Sequence, residues 1–205
     1  FAMSMYRAGF FVSAVNPLAI RDYQEGISVR KVKTDKADAL KIAQFAIDKW
    51  EILPQYTPMD TIRYNLKTLH RQFQLSSKTR TALNNNLIAL LEQNYPGANR
   101  YFDSPVRPDG TQKWVDFVDT FWHVDCVAGV SQDAFVERYR KWCKRHGYHF
   151  SEQKAIEIHT DARRKFPLAP KTDTCKLLVK EGVAQLNAIS RTVETYRTEV
   201  NRLAA

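Results

Sequence analysis

Two aspartates carry the most specific chemistry in this chain. Asp35 and Asp38 lie in Lys33-Thr34-Asp35-Lys36-Ala37-Asp38-Ala39, at what reads as the start of a helix. Residues at i and i+3 share a helix face, so both carboxylates can lean toward one point. Hard cations such as Mg²⁺ bind through a few carboxylate oxygens and keep waters or phosphates as other ligands. Such a pair makes half of a metal site, not a whole one. The competing reading is plain helix chemistry: acidic residues in a first turn favour the positive end of the dipole, and Thr34 or Asp35 suits an N-cap. The preceding loop brings Arg30, Lys31 and Lys33 beside the pair. These cations either pair with the aspartates or guide a phosphate backbone.

The elements that must position this pair begin with a helix over residues 1–8, stopped by Gly9. Residues 10–15, Phe-Phe-Val-Ser-Ala-Val, are rich in aromatic and β-branched types and read as a buried strand. Asn16-Pro17 ends the strand and opens a short helix to residue 25. Helix-strand-helix order implies α/β architecture with a mostly parallel sheet, whose other strands would lie upstream of Phe1. From residue 34 to 50 a helix carries Ala39, Leu40, Ala43, Ala46 and Ile47 on one face. Ile52-Leu53 reads as a short strand or an extended link.

Pro58 and Asp60 then start a helix expected to run to Tyr95, where Pro96-Gly97 stops it. Its apolar residues Ile62, Leu66, Leu69, Phe73, Leu83, Leu87 and Leu90 step by four and three, with Ser76 and Arg80 in two polar beats. From Thr172 onward, Val179, Gly182, Leu186, Ile189, Val193, Tyr196, Val200 and Leu203 keep the same alternation. Two such seams pair most simply as an antiparallel αα-hairpin, and either can also meet a second copy. Between them three helices are expected. They cover 111–122, with Trp114, Phe117, Val118 and Phe121 inward; 133–145, with Phe135, Val136, Tyr139, Trp142 and Cys143 inward; and 151–165, capped by Ser151.

The second of these helices interleaves cations with aromatics, through Arg138, Lys141, Lys144 and Arg145, and can lie along phosphates. The ordinary alternative makes Tyr139 and Trp142 core and the cations a solvated face. Arg163 and Arg164 form a second basic cluster. Cys126, Cys143, His146 and His149 match no common zinc module. No glycine-rich phosphate loop is present among only seven glycines.

Composition sets the wider frame. With 205 residues, 44% hydrophobic and 26% charged, the chain has room for one large or two small folded domains. A net charge of +9 suggests a polyanionic partner, most simply nucleic acid. Three scattered cysteines argue for reduced thiols and a cytoplasmic setting. No apolar run is long enough to cross a bilayer and no secretory signal pattern appears. The opening residues look like the inside of a helix, so the chain is expected to be a fragment.

At Asp35 and Asp38 the sequence resembles the DEDD transposases of the insertion-sequence one-ten family. Val15-Asn16-Pro17, a short helix and then Lys33-Thr34-Asp35-Lys36-Ala37-Asp38-Ala39 carry the resemblance, which covers about the first half of the chain. It implies a RuvC-like (RNase H-fold) domain followed by a coiled coil. The family's site uses four acidic residues, and Asp35 and Asp38 match the last two. The first Asp and the Glu are absent here, as is the family's C-terminal serine domain. Four carboxylates would hold two Mg²⁺ ions about 4 Å apart to clamp the oxygens of a phosphodiester displacement. Better-known members are RNA-guided recombinases, bacterial or archaeal, that assemble as dimers and tetramers through the coiled coil.

The resulting expectation is a mainly α chain. Residues 1–57 are the C-terminal remnant of a RuvC-like α/β domain, 58–96 and 172–205 a long antiparallel coiled coil, and 97–171 a small helical insert. Its partners would be DNA, a guide RNA where the family resemblance extends to it, and further copies of itself. The complete protein would be a Mg²⁺-dependent transposase and the fragment alone inert. The alternative is a non-catalytic helical module that binds nucleic acid or dimerises.

Overall fold

The computed structural model describes residues 1–25, 34–103 and 105–204, with the side chains of residues 24 and 25 excepted. Arg30, Lys31 and Lys33 therefore lie outside the described residues. The chain divides into two compact units, Phe1–Thr61 and Ile62–Ala205. Among the described residues the regular structure is helical.

In the first unit, α1 (Ala2–Arg7) ends where expected. Gly9, at φ +82°, takes the left-handed position, and its N–H and that of Phe10 donate to Tyr6 and Met5 carbonyls at 3.0 and 3.1 Å. These two bonds satisfy the last carbonyls of the helix, and only glycine adopts that φ cheaply.

The buried strand expected at 10–15 is not there. The segment is extended, but it makes a single antiparallel bridge, Ser13 to Gln55, with the Tyr56 N–H donating to the Val12 carbonyl at 2.7 Å. Phe10 and Phe11 are 58% and 46% exposed. A strand is stabilised by ladder neighbours and a covered face, and among the described residues 10–15 has neither. The Phe11 ring rests instead on Trp50, 4.9 Å between centroids.

Two helices follow in this unit. α2 (Pro17–Glu25) starts with proline at its first position, and the Asn16 side chain accepts from the Leu18 N–H at 3.0 Å. α3 (Asp35–Asp48) is followed by a 3-10 turn, Trp50–Ile52, so of the strand or link expected at Ile52-Leu53 only Leu53 is extended. The two helices meet through Tyr23, whose ring stands edge-on to Phe45 at 5.3 Å and whose hydroxyl donates to Asp48. Phe45 is the buried residue of α3. The stripe noted in the sequence points elsewhere, with Leu40 65% and Ile47 71% exposed.

In the second unit, α4 (Thr61–Asn94) and α9 (Asp173–Ala204) are 34 and 32 residues long. At 1.5 Å per residue each spans about 50 Å. Their expected seams are the faces that bury. Leu87, Val179, Leu186 and Val193 are fully buried or nearly so, and the other seam positions are half-buried apart from Ile62, which is exposed. Contacts fix the direction of the pair. A Cβ on Gly182 would lie 3.3 Å from Leu87 Cδ1, while Arg80 meets Glu194 at 3.5 Å. The later residue of α4 faces the earlier residue of α9, so the two helices run antiparallel. Of the two polar beats, Ser76 is buried and Arg80 meets Glu194, which also pairs with Arg197 at 3.0 Å.

The segment between them contains α5 (Lys113–Thr120), α6 (Asp125–Ala128), α7 (Gln132–His146) and α8 (Glu152–Ala162). The expected first and third helices are shorter in fact, and the four-residue α6 has no sequence counterpart in the reading above. All the residues assigned inward on α5 and α7 are buried. Phe117 sits at the centre, with Tyr95, Tyr101, Phe102, Phe121 and Trp142 rings around it. Leu87, Leu91, Val179, Val183 and Leu186 of the long helices belong to the same core. The insert is thus packed on the helix pair, and Lys180 of α9 holds Asp119 of α5 at 3.0 Å.

Candidate metal and nucleic-acid sites

The first turn of α3 decides between the two readings of Asp35. Thr34, in extended conformation, is the N-cap, and its hydroxyl accepts from the Ala37 N–H at 3.2 Å. Capping therefore falls to Thr34, and Asp35 is the first helical residue, exposed to solvent. Asp38, one turn on, is half-exposed, and its carboxylate lies 3.8 Å from Lys41 Nζ. An ion pair that long and that exposed contributes little and is easily exchanged for another cation.

The donor set fits a hard divalent ion in kind. Both groups are carboxylates on one helix face, neither caps the helix, and both reach solvent. Two ligands are the whole of what the described residues offer, because no group of three or more His, Cys, Asp or Glu side chains converges among them. Asp48, at the far end of the same helix, is a different kind of carboxylate. The Tyr23 hydroxyl and the Gln44 amide, the latter at 2.9 Å, donate to it and hold its carboxyl below the usual range.

The zinc alternative does not assemble either. Cys143 is buried in the core, and burial pushes its thiol up. His146 turns its Nδ1 toward Asp116, 3.6 Å away, and His149 is exposed. Asp116 is instead the centre of a polar knot. The Tyr148 hydroxyl donates to it at 2.7 Å, and Arg107 reaches it at 3.5 Å while lying 4.3 Å from the Tyr148 ring centre. Arg107 also donates to the His146 carbonyl at 2.7 Å. This knot ties the 105–111 loop to α5 and the end of α7. Burial pushes the Tyr148 hydroxyl up, and its bond to Asp116 adds to that.

The expected nucleic-acid residues separate into two groups. Arg138, Lys141 and Arg145 fall at i, i+3 and i+7 of α7 and line one cleft of about 560 Å³, joined by Lys171 from the segment before α9. Lys144, Arg163 and Arg164 are exposed but do not line it. Tyr139 and Trp142 are buried, so the aromatics of this helix are core, not stacking platforms. Ser131 caps α7 through the Ala134 N–H at 3.3 Å, and Gly147 at φ +68° closes it, which sets the cationic face at a fixed orientation on the core. Lys171 went unnoticed in the sequence because it stands alone between Pro170 and Thr172, away from any run of cations.

Residues 2–96 match the family model for DEDD transposases of the IS110 type, described as Transposase. No curated protein and no solved structure matches the chain.

Proposed function

We propose, from the premise that residues 2–96 belong to the DEDD transposase family, that the complete protein breaks and rejoins DNA phosphodiesters with Asp35 and Asp38 as two of its metal ligands. The observation that carries this reading is the division of labour at the start of α3. Thr34 caps the helix, which leaves both carboxylates of the first turn available on one solvent-facing side. Mg²⁺ is the ion that this donor set suits. When bound, it would polarise the phosphate and stabilise the attacking and leaving oxygens. The chain's own part is to present Asp35 and Asp38 from a rigid helical turn and to anchor that helix on α2 through the Tyr23, Phe45 and Asp48 contacts. Arg30, Lys31 and Lys33, just before the turn, would steer the nucleic-acid backbone toward it.

The remainder of the reading concerns assembly. Residues 1–57 would be the end of a RuvC-like domain and the α4–α9 pair a coiled coil that also joins copies of the chain. A guide RNA is consistent with the basic charge but has no residue of its own to support it.

A recombination assay with the full-length protein tests the site. Asp35→Asn and Asp38→Asn abolish strand exchange and leave the helical circular dichroism unchanged. Asp48→Asn, which removes a carboxylate bonded to Tyr23, keeps activity. Wild-type recombination by either of the first two variants defeats the assignment. A non-catalytic helical module is the second reading, and it is favoured by the cationic cleft of the second unit, which needs no metal to act.

A further inference from the structure

The cleft beside α7 has properties that neither the family match nor the acidic pair accounts for. Four cations line it, Arg138, Lys141, Arg145 and Lys171, against a single carboxylate, Asp125. That carboxylate is half-exposed, and the Asp125 backbone N–H, not the carboxylate, bonds the buried His123 by donating to its Nδ1 at 3.1 Å. Several other cations of this unit have a carboxylate partner, namely Arg107 with Asp116, Arg140 with Glu137, Lys154 with Glu157, Lys165 with Asp161 and Lys180 with Asp119, whereas Lys144, Arg163 and Arg164 have no ion pair among the described residues and are scattered outside the cleft. Arg138, Lys141 and Arg145 have no ion-pair partner among the described residues, and Lys171 has only the face of Trp122, 5.9 Å away. Three unpaired cations aligned on one helix face, with a fourth from a separate element, leave uncompensated positive charge that an anion can neutralise.

The spacing says which anion. Arg138 to Arg145 is seven residues of helix, a rise of about 10 Å. Along that length a nucleic-acid strand presents several phosphates in succession. A lone phosphate or a small acid would use one or two of these cations and leave the others idle. The cleft's volume of about 560 Å³ has room for a stretch of sugar–phosphate strand. The aromatic rings that line the cleft, Phe121 and Trp142, are buried, so bases find no stacking surface there. Recognition is then by backbone charge alone and is indifferent to sequence.

We infer that this cleft is a binding site for the backbone of a single nucleic-acid strand, held by Arg138, Lys141, Arg145 and Lys171. The inference deepens the nucleic-acid part of the function proposed above and is independent of the Asp35–Asp38 chemistry.

The test is fluorescence anisotropy of a labelled oligonucleotide with the full chain over a salt series. The probes are a mixed-sequence DNA strand, the same strand as RNA, and the DNA duplex. For single strands, log K falls against log salt by about 0.7 per phosphate contact. R138Q/K141Q should flatten that slope by about 1.4. The charge-matched pair K67Q/R71Q on the exposed face of α4 should leave it unchanged, since both lose two positive charges but only the first pair lines the cleft. K171Q alone should flatten it by about 0.7. Circular dichroism of each variant and retained binding by Lys141→Arg exclude unfolding as the cause. Comparable affinity for DNA and RNA strands is expected and separates backbone from sugar recognition. Equal slopes for the two double variants, tighter binding of the duplex than of the strand, or no binding at low salt each overturn the inference. None of these outcomes touches the recombination result for Asp35 and Asp38, so the two readings fail separately.

Discussion

The register of the long helix pair can be tested by exchanging bulk across it. Leu87 is fully buried, and the space a Cβ would need on Gly182 ends 3.3 Å from Leu87 Cδ1. Leu87→Ala should cost about 2–5 kcal/mol, from lost transfer free energy and the cavity left behind. Gly182→Leu forces a side chain into an occupied gap for about 1–3 kcal/mol, less roughly 0.8 kcal/mol regained in helix propensity. The double variant moves the bulk from α4 to α9 in place, so its cost should fall short of the sum by at least about 1 kcal/mol, within the range of contacting pairs. Urea unfolding with linear extrapolation measures the cycle, and each kcal/mol corresponds to about 2–4 °C in Tm for a chain of this size. Additivity within about 0.5 kcal/mol would refute the antiparallel register that sets residue 182 against residue 87.

Other expectations follow from single positions. Gly110→Ala should destabilise the second unit by more than about 1 kcal/mol, measured by urea midpoint. Gly110 sits at φ +82°, and its Cβ would come within 2.7 Å of the Ser190 carbonyl oxygen, a backbone atom that cannot step aside. Thr34→Ala should weaken α3 by about 1 kcal/mol, seen as faster amide exchange at Ala37 and Asp38, while Thr34→Ser keeps protection. Asp161 supplies a pH signature. Burial pushes its carboxyl up, but bonds from Tyr101 at 2.7 Å and Lys165 at 2.9 Å outweigh that and hold it below the usual range. Its folded value lies under the unfolded one near 3.9, so the stabilisation is complete above that and fades as pH falls through the folded value. Wild type should therefore lose more stability than Asp161→Asn when the urea midpoint is followed from pH 6 to pH 3.

What the sequence disclosed tracks how local the governing physics is. The seams of α4 and α9 were legible because a repeat of three and four dictates which residues face a partner. The caps at Thr34 and Ser151 and the stop at Gly9 depend on a few neighbouring atoms. The inward faces of α5 and α7 were legible for the same periodic reason. The strand at 10–15 was misjudged because β-branched composition states only a readiness to pair, and pairing depends on segments far away in the chain. The exposed Leu40 and Ile47 make the same point: an apolar stripe says that something should cover it, not what. The α7 cations were readable as a run, whereas Lys171 joins them only through the fold. Asp116 gathers Arg107, His146 and Tyr148 across loops that no spacing rule connects.

The central claim is that one turn of α3 offers a pair of carboxylates to a divalent ion. Hydroxyl-radical mapping tests it most directly: the full-length protein is loaded with Fe²⁺ in place of Mg²⁺ and treated with ascorbate, and cut positions are read along the chain. Cleavage centred on residues 34–39, suppressed by excess Mg²⁺ and lost in Asp35→Asn and Asp38→Asn but kept in Asp48→Asn, is the predicted result. Cleavage elsewhere, or an unchanged pattern in the two variants, contradicts it.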